Sequence, residues 1–137
     1  GDKTAEEVKI TVGAAVPMNE ELSMQVKGRD LVSGLPRTVE LSTNDVAQAF
    51  ARELREMTQA IRKVLQETPP ELAADIIDNG IILTGGTSQL RQMPELVYRR
   101  TGVVAKLAND PYYCVARGTG IALKHLDTYQ KSVMAKN

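Results

Sequence analysis

The stretch that most constrains the fold is the run Ile81-Ile82-Leu83-Thr84-Gly85-Gly86-Thr87-Ser88. Its apolar half predicts a buried strand, its glycines predict a turn, and a helical pattern begins at Gln89. Glycines let a backbone approach a ligand closely because they carry no Cβ, and the free N–H groups of a helix start can face that ligand. The run therefore predicts a small-ligand site, with a plain tight turn as the alternative.

Composition limits the class of protein. The chain has 137 residues, of which 42% are hydrophobic and 25% charged, as in soluble globular domains. Its 17 basic and 17 acidic residues leave no net charge to attract nucleic acid or an anionic membrane. A single cysteine, Cys114, excludes an internal disulfide and favours a reducing, cytoplasmic compartment. No apolar run is long enough to predict a membrane span.

The first part of the chain predicts an α+β lobe. Residues 1–10 predict a short helix that Asp2 or Thr4 can cap, and residues 4–7 match a capping box. Alternating apolar and polar residues then predict three strands of a small antiparallel sheet, near residues 11–16, 22–26 and 38–41. A turn or bulge is expected at residues 27–30, and a second turn at residues 33–36.

The longest helix is predicted at residues 43–68, with room for a break, opened by the run at residues 42–45 and ended by Pro69-Pro70. Beyond it, helices near residues 71–77, 88–101 and 112–126 alternate with strands near 81–83 and 103–107. This alternation predicts parallel strands with helical crossovers. Two parallel strands make a narrow sheet, so we expect an incomplete lobe belonging to a larger protein.

Other chemistry is weakly indicated. Glu6 and Lys9 share a helix face, which by itself predicts only a surface ion pair. His125 has no second ligand at metal-binding spacing, so we predict no zinc site. Cys114 is expected to be a buried, inert thiol. We predict no catalytic and no metal-ligating residues.

Several long segments resemble the MreB family of bacterial actin homologues. They cover most of the chain in unbroken order: residues 1–10 (GDKTAEEVKI), 26–38 (VKGRDLVSGLPRT), 68–77 (TPPELAADII), 80–86 (GIILTGG), 110–111 (DP) and 114–120 (CVARGTG).

The resemblance implies an α/β fold, specifically a fragment of the actin/Hsp70-like ATPase fold. In that fold two large domains close on ATP and magnesium. Residues 1–68 would form the outer α+β subdomain of the second domain, and residues 69–126 the returning, partial βαβ portion of the inner subdomain. Residues 127–137 would be a C-terminal tail that frays. The family's phosphate loops, hydrolytic carboxylates and membrane-binding elements match no segment of this chain, so we expect it to be inactive as an ATPase by itself.

The resemblance also implies a site for the adenosine side of ATP or ADP, with magnesium needed only in the complete protein. Its residues would be two segments, Glu6-Glu7-Val8-Lys9 and Gly85-Gly86-Thr87-Ser88. Glu6 and Lys9 would contact the ribose or the base. Many family members have a third glycine at the position of Thr87, a difference that we expect to alter hydrogen bonding.

The implied function is that of an ATP-binding, filament-forming cytoskeletal protein that directs cell-wall synthesis and rod shape. Its partners would be further copies of itself and the cell-wall elongation machinery, with no nucleic acid, at the cytoplasmic face of the membrane. Two alternatives stay open. One is a fragment of another actin-fold ATPase or a sugar kinase, and the other is an interaction module that binds no nucleotide.

Overall fold

The computed structural model describes residues 1–133. Six helices and two small sheets make up this part of the chain, as the α/β prediction requires. In chain order the elements are α1 (Asp2–Val12), β1 (Ser23–Arg29), β2 (Pro36–Ser42), α2 (Thr43–Glu67), α3 (Pro70–Asn79), β3 (Ile81–Leu83), α4 (Met93–Thr101), β4 (Ala105–Leu107), α5 (Cys114–Lys124) and α6 (Leu126–Val133). None of the described helices is long and apolar enough to cross a membrane.

The first helix ends two residues later than its sequence pattern predicts, at Val12. Gly1 is the N-cap and makes no side-chain capping bond, so the predicted Thr4–Glu7 capping box is wrong. The helix starts at Asp2, which leaves Thr4 inside its first turn.

The strand predicted over residues 11–16 is also wrong. Val8 and Val12 lie four residues apart on α1 and are both buried, so helical packing determines the structure here. Only Ala14 pairs with another segment, through an isolated parallel bridge to Arg91.

A hairpin replaces the predicted three-stranded sheet. β1 and β2 pair antiparallel from Ser23↔Ser42 to Arg29↔Pro36. The turn or bulge predicted at residues 27–30 lies mostly within β1. The chain reverses between Asp30 and Leu35, which overlaps the turn predicted at residues 33–36. The Asp30 carboxylate accepts hydrogen bonds from the N–H groups of Val32 (3.0 Å) and Ser33 (2.8 Å), which fixes the loop.

The long helix α2 is present as predicted, from Thr43 to Glu67. Ser42 caps it: its hydroxyl accepts the Asp45 N–H at 3.2 Å, and the Asp45 carboxylate accepts the Ser42 N–H at 2.9 Å. These hydrogen bonds, first from the Ser42 N–H and then from its hydroxyl, hold the pKa of Asp45 below its ordinary value of 3.8.

The apolar stripe of α2 contributes to two clusters of buried side chains. Near its start, Val46 packs with Val8 and Val12 of α1. About two turns later, Leu54 packs in a second cluster with Ala15, Leu90, Met93 and Leu96. Phe50 lies between them along the helix and packs against both clusters. The second cluster joins Leu54 to residues beyond position 68, so the two predicted lobes share buried contacts. The boundary near residue 68 therefore stays a prediction.

The second sheet has the predicted parallel topology. β3 and β4 pair in parallel from Ile81↔Ala105 to Leu83↔Leu107, with α4 as the crossover. The helix predicted from residue 88 begins later, because Thr87–Gln89 form a 3-10 turn and Gln92 adopts a left-handed conformation. α4 therefore starts at Met93.

The end of the chain differs from the prediction of one helix and a fraying tail. A 3-10 turn at Pro111–Tyr113 leads into α5, and α6 follows after a break at His125. Of the predicted tail, residues 134–137 lie outside the described residues. Cys114 is half-buried, not fully buried as predicted, with its sulfur 3.6 Å from the carbonyl oxygens of Asn109 and Asp110.

We predict that Ser42→Ala lowers the free energy of unfolding by about 1 kcal/mol, because the N-terminal N–H groups of α2 lose their acceptor. Urea unfolding followed by circular dichroism measures the change. Ser42→Asn, which keeps a capping oxygen, should retain most of the stability. Equal losses in the two variants would show that the cap does not stabilise α2.

We also predict acid sensitivity at the same cap. Folding lowers the pKa of Asp45, so its contribution to stability is present above the ordinary carboxyl pKa and is lost as the pH falls through the folded value. The urea midpoint should therefore fall between pH 6 and pH 3, and the fall should be smaller in Asp45→Asn. Asp78, which accepts no side-chain hydrogen bond from residues 1–133, provides the control variant Asp78→Asn.

Candidate functional site

The glycine turn after β3 is held in one conformation. Gly85 has φ +87°, a left-handed conformation that glycine adopts without strain. Its N–H donates to the Pro111 carbonyl at 2.7 Å, and its carbonyl accepts the Ser88 hydroxyl at 2.7 Å. The turn is thus tied to the segment that follows β4. The segments that follow two parallel strands are expected to lie side by side, because both strands end at the same edge of the sheet.

The end of α1 is fixed beside this turn by main-chain hydrogen bonds. The Ala15 N–H donates to the Arg91 carbonyl at 2.8 Å, and the Gly13 carbonyl accepts the Arg91 N–H at 3.4 Å. The Arg91 guanidinium donates to the same Gly13 carbonyl at 3.3 Å. Elements far apart in sequence therefore form two sides of one depression.

This depression is a cavity of about 520 Å³, within the range of small-molecule sites. Its walls combine polar and apolar side chains with glycine backbone. The lining residues are Glu6, Lys9, Ile10, Gly13, Gly86, Thr87, Gln89, Leu90 and Tyr112.

Four of the predicted site residues line the cavity together: Glu6, Lys9, Gly86 and Thr87. Glu6 and Lys9 form an ion pair along α1, so the surface pair expected from their spacing is present and also borders the cavity. Across from them, the N–H groups of Gly86 and Thr87 donate no hydrogen bond within residues 1–133. Charged groups and backbone donors can therefore approach one ligand from two sides.

The other four predicted residues do not line the cavity. Glu7 is exposed outside it, and Val8 is 8% exposed because its side chain packs into the core between α1 and α2. Gly85 and Ser88 belong to the turn but not to the cavity lining, and the Ser88 hydroxyl donates to the Gly85 carbonyl. These residues position the site without reaching a ligand in the cavity.

No α-helix begins at the glycine turn, although the sequence pattern predicts one there. The 3-10 turn uses the Gln89 and Leu90 N–H groups in bonds to the Gly86 and Thr87 carbonyls, at 3.1 and 3.2 Å. α4 begins only at Met93, so its N-terminus does not supply donors at the turn. The unbonded N–H groups belong to the turn itself.

Sequence reasoning missed five lining residues: Ile10, Gly13, Gln89, Leu90 and Tyr112. Tyr112 could have been found, because it follows β4 and the loops after neighbouring parallel strands meet at one edge. Ile10 follows Lys9 and is one helical turn from Glu6, which also places it near that face. No group of carboxylates, histidines or cysteines among the described residues could hold a metal ion.

Comparison with known proteins gives relatives along almost the whole chain. The family model for the MreB/Mbl protein matches residues 1–131. The cell shape-determining protein Mbl of Bacillus subtilis is 40% identical over 131 residues, which are 96% of this chain and 39% of that protein. The cell shape-determining protein MreB of Escherichia coli K12 is 40% identical over 129 residues, 94% of this chain and 37% of that protein. The chain thus spans about two fifths of the length of these relatives.

Solved structures agree with the sequence relatives. MreB5 of Spiroplasma citri bound to ADP superimposes with a TM-score of 0.85 at 37% identity, covering 97% of this chain and 40% of that one. The same protein bound to AMPPNP gives a TM-score of 0.86 at 35% identity, covering 98% and 40%. The fold is therefore that of a portion of the actin-like MreB structure. With a family match from residue 1 to 131 and 40% identity over nearly its full length, this chain belongs to the MreB/Mbl family.

Proposed function

We propose that this chain forms the adenosine-binding wall of an ATP site in an MreB/Mbl-type filament protein. The observation that carries the proposal is the cavity between α1 and the glycine turn, which brings Glu6, Lys9, Gly86 and Thr87 together. The solved relatives that superimpose on this chain are bound to ADP and AMPPNP, which share an adenosine diphosphate portion.

The chemistry of the lining suits a nucleoside. A carboxylate accepts hydrogen bonds from ribose hydroxyls, and an ammonium group donates to ring nitrogens or oxygens. Glu6 and Lys9 provide one of each, from side chains that are 57% and 33% exposed and so accessible to a ligand. On the opposite wall, Gly86 has no side chain to obstruct a sugar, and its N–H can donate to an oxygen.

The proposal covers binding and not hydrolysis by this chain. Hydrolysis requires magnesium, the γ-phosphate and a water molecule to be positioned together, which a single wall cannot do. We assign the phosphate and magnesium contacts to the remainder of a complete protein.

At the cellular level, we assign the complete protein a role in cell shape, at the cytoplasmic face of the membrane and in concert with cell-wall synthesis. The relatives from Bacillus subtilis and Escherichia coli are named as cell shape-determining proteins. Family membership decides against the sugar-kinase alternative. The remaining alternative is a module that binds no nucleotide, and titration of the chain with ADP tests it.

The β1–β2 hairpin favours filament formation as a second part of the function. Leu31 and Val32 at its tip are each 98% exposed, in a loop fixed by the Asp30 carboxylate. The Arg37 guanidinium pairs with the Asp30 carboxylate at 3.2 Å, and the Arg29 guanidinium donates to the Gly34 carbonyl at 2.8 Å, so Arg29 supplies the unbalanced positive charge of these three residues. A rigid apolar tip with positive charge beside it is suited to docking.

A complementary surface lies on α3 of the same chain. This helix exposes Leu72 and Ile77, and all its charged residues are acidic: Glu71, Asp75 and Asp78. An acidic apolar surface and a basic apolar tip on one chain permit head-to-tail association of copies. Contacts of that kind generate open filaments unless the rotation closes a ring. We therefore propose the hairpin tip and α3 as filament contacts.

We predict that isothermal titration of ADP into the chain gives saturable binding that Glu6→Ala weakens roughly 10-fold, by the loss of a charged hydrogen-bond acceptor. Glu7→Ala is a matched control, because the neighbouring carboxylate lies on the same helix outside the cavity. Gly86→Val should abolish binding by placing a branched side chain in the cavity. Folded wild-type protein that binds neither ADP nor ATP would favour the module without nucleotide.

We predict that replacing both Leu31 and Val32 by Asn reduces self-association in analytical ultracentrifugation, because the apolar tip is lost. Val64→Asn is the control, since Val64 is an exposed aliphatic residue on α2, away from the hairpin loop. An equal effect of the two substitutions would contradict a specific contact at the tip.

A further inference from the structure

A second cavity lies between helices α2 and α4, and residues 15–17 also border it. Its volume is about 420 Å³, within the range of ligand sites. It shares no lining residue with the cavity that contains Glu6 and Lys9. The proposed nucleotide function therefore leaves this α2–α4 cavity without a role.

The floor of the α2–α4 cavity is apolar and belongs to the core. Four buried side chains, each 4% to 7% exposed, contribute to it: Ala15, Ala47, Leu54 and Leu96. The Asn44 side chain fixes the adjoining loop, because its Oδ1 accepts the Met18 N–H at 2.8 Å and its Nδ2 donates to the Met18 carbonyl at 3.1 Å. The cavity is thus shaped by buried contacts that do not need a ligand.

The charge of the cavity has one sign. Two of the described lining residues are charged, and both are arginines: Arg55 on α2 and Arg100 in the last turn of α4. Neither guanidinium forms an ion pair among the described residues, whereas the nearby Arg52 and Arg99 each pair with a glutamate of their own helix, at 3.1 and 2.7 Å. Guanidinium groups bind carboxylates through two parallel hydrogen bonds. The cavity therefore presents two uncompensated carboxylate-binding groups beside an apolar floor.

A third polar group in the lining, the exposed Gln48 amide, suits a peptide main chain. An amide side chain both donates and accepts hydrogen bonds, as each peptide unit requires. Gln48 and Arg55 are seven residues apart on α2, so they share a face and are separated by about 10 Å along the helix axis. An extended peptide covers that distance in about three residues.

We propose that the α2–α4 cavity binds an acidic, extended segment of a partner protein. Apolar side chains of this segment pack on the buried floor, and its carboxylates pair with Arg55 and Arg100. Charge complementarity selects the occupant, because no acidic residue is among the described residues that line the cavity. The Gln48 amide bonds to the main chain of the segment and so favours a peptide over an anion without amide groups.

The probe is the peptide acetyl-Glu-Leu-Leu-Glu-amide, titrated into the isotope-labelled chain and followed by the amide NMR signals of α2. Replacing both Arg55 and Arg100 by Gln should weaken binding about 10-fold, because charged hydrogen bonds are lost. Replacing both Arg52 and Arg99 by Gln is the matched control, since it removes the same charge from the same two helices outside the cavity. Ala51→Glu, at an exposed lining position, should abolish binding by placing a carboxylate in the site.

The expected result is equal binding by the wild-type chain and the control variant, with preference over the neutral peptide acetyl-Gln-Leu-Leu-Gln-amide. Equal weakening in the two double variants would overturn the site, because it indicates general attraction to positive charge. Equal affinity for the neutral peptide would overturn the acidic class of partner. Octanoate that binds as tightly as the peptide would replace the peptide by a small amphiphilic anion.

Two further outcomes would overturn the proposal. One is a folded wild-type chain that does not bind the acidic peptide. The other is a chain that sediments as a dimer and becomes monomeric when Arg55 and Arg100 are both replaced by Gln, because a second copy then covers the cavity. None of these results depends on nucleotide binding, so the α2–α4 cavity and the proposed function are tested separately.

Discussion

The candidate site depends on how firmly the end of α1 is fixed beside the glycine turn. Val12 and Ala14 are completely buried, so the chain cannot shift there without opening the core. The Ala15 N–H bond to the Arg91 carbonyl, 2.8 Å long, then joins this segment to the chain just beyond the turn. A Cβ at Gly13 would lie 2.1 Å from the Lys9 carbonyl oxygen, so only glycine allows the helix to end at this point. The cavity is the space left between two segments that are positioned independently of any ligand.

The second wall follows from the topology of the sheet. β3 and β4 are parallel, so the glycine turn and the Pro111–Tyr113 turn leave from the same edge. The hydrogen bond between the Gly85 N–H and the Pro111 carbonyl joins them. Residues separated by some 25 positions in sequence are thereby brought into one surface. The sheet itself is narrow and leaves Ile82 and Leu107 exposed, as expected for a portion of a wider structure.

Much of this arrangement could be predicted from sequence where local signals agree with packing. Helix α2 combines an apolar stripe with a Ser42 cap and a Pro-Pro stop, and its predicted limits are confirmed. Prediction failed where tertiary packing overrides a local pattern. The alternation of Val12, Ala14 and Val16 is typical of a strand, but Val12 is buried as the last residue of a helix. The same applies to the site: spacing and family resemblance indicated Glu6 and Gly86, whereas the burial of Val8 and the position of Tyr112 depend on packing that no short motif encodes.

Under the proposed function, the geometry predicts that one wall is specific without binding tightly. The Glu6–Lys9 pair is exposed, so separating its charges to contact a ligand costs little. The cavity walls are otherwise held by buried contacts and main-chain hydrogen bonds, so little ordering is needed when a ligand arrives. However, an open wall leaves much of the ligand in water, and the electrostatic interactions on it stay screened. A second wall that excludes water would strengthen these same contacts without altering them. Under the proposed function, selectivity for the nucleoside would lie in this wall, while affinity would depend on a second wall.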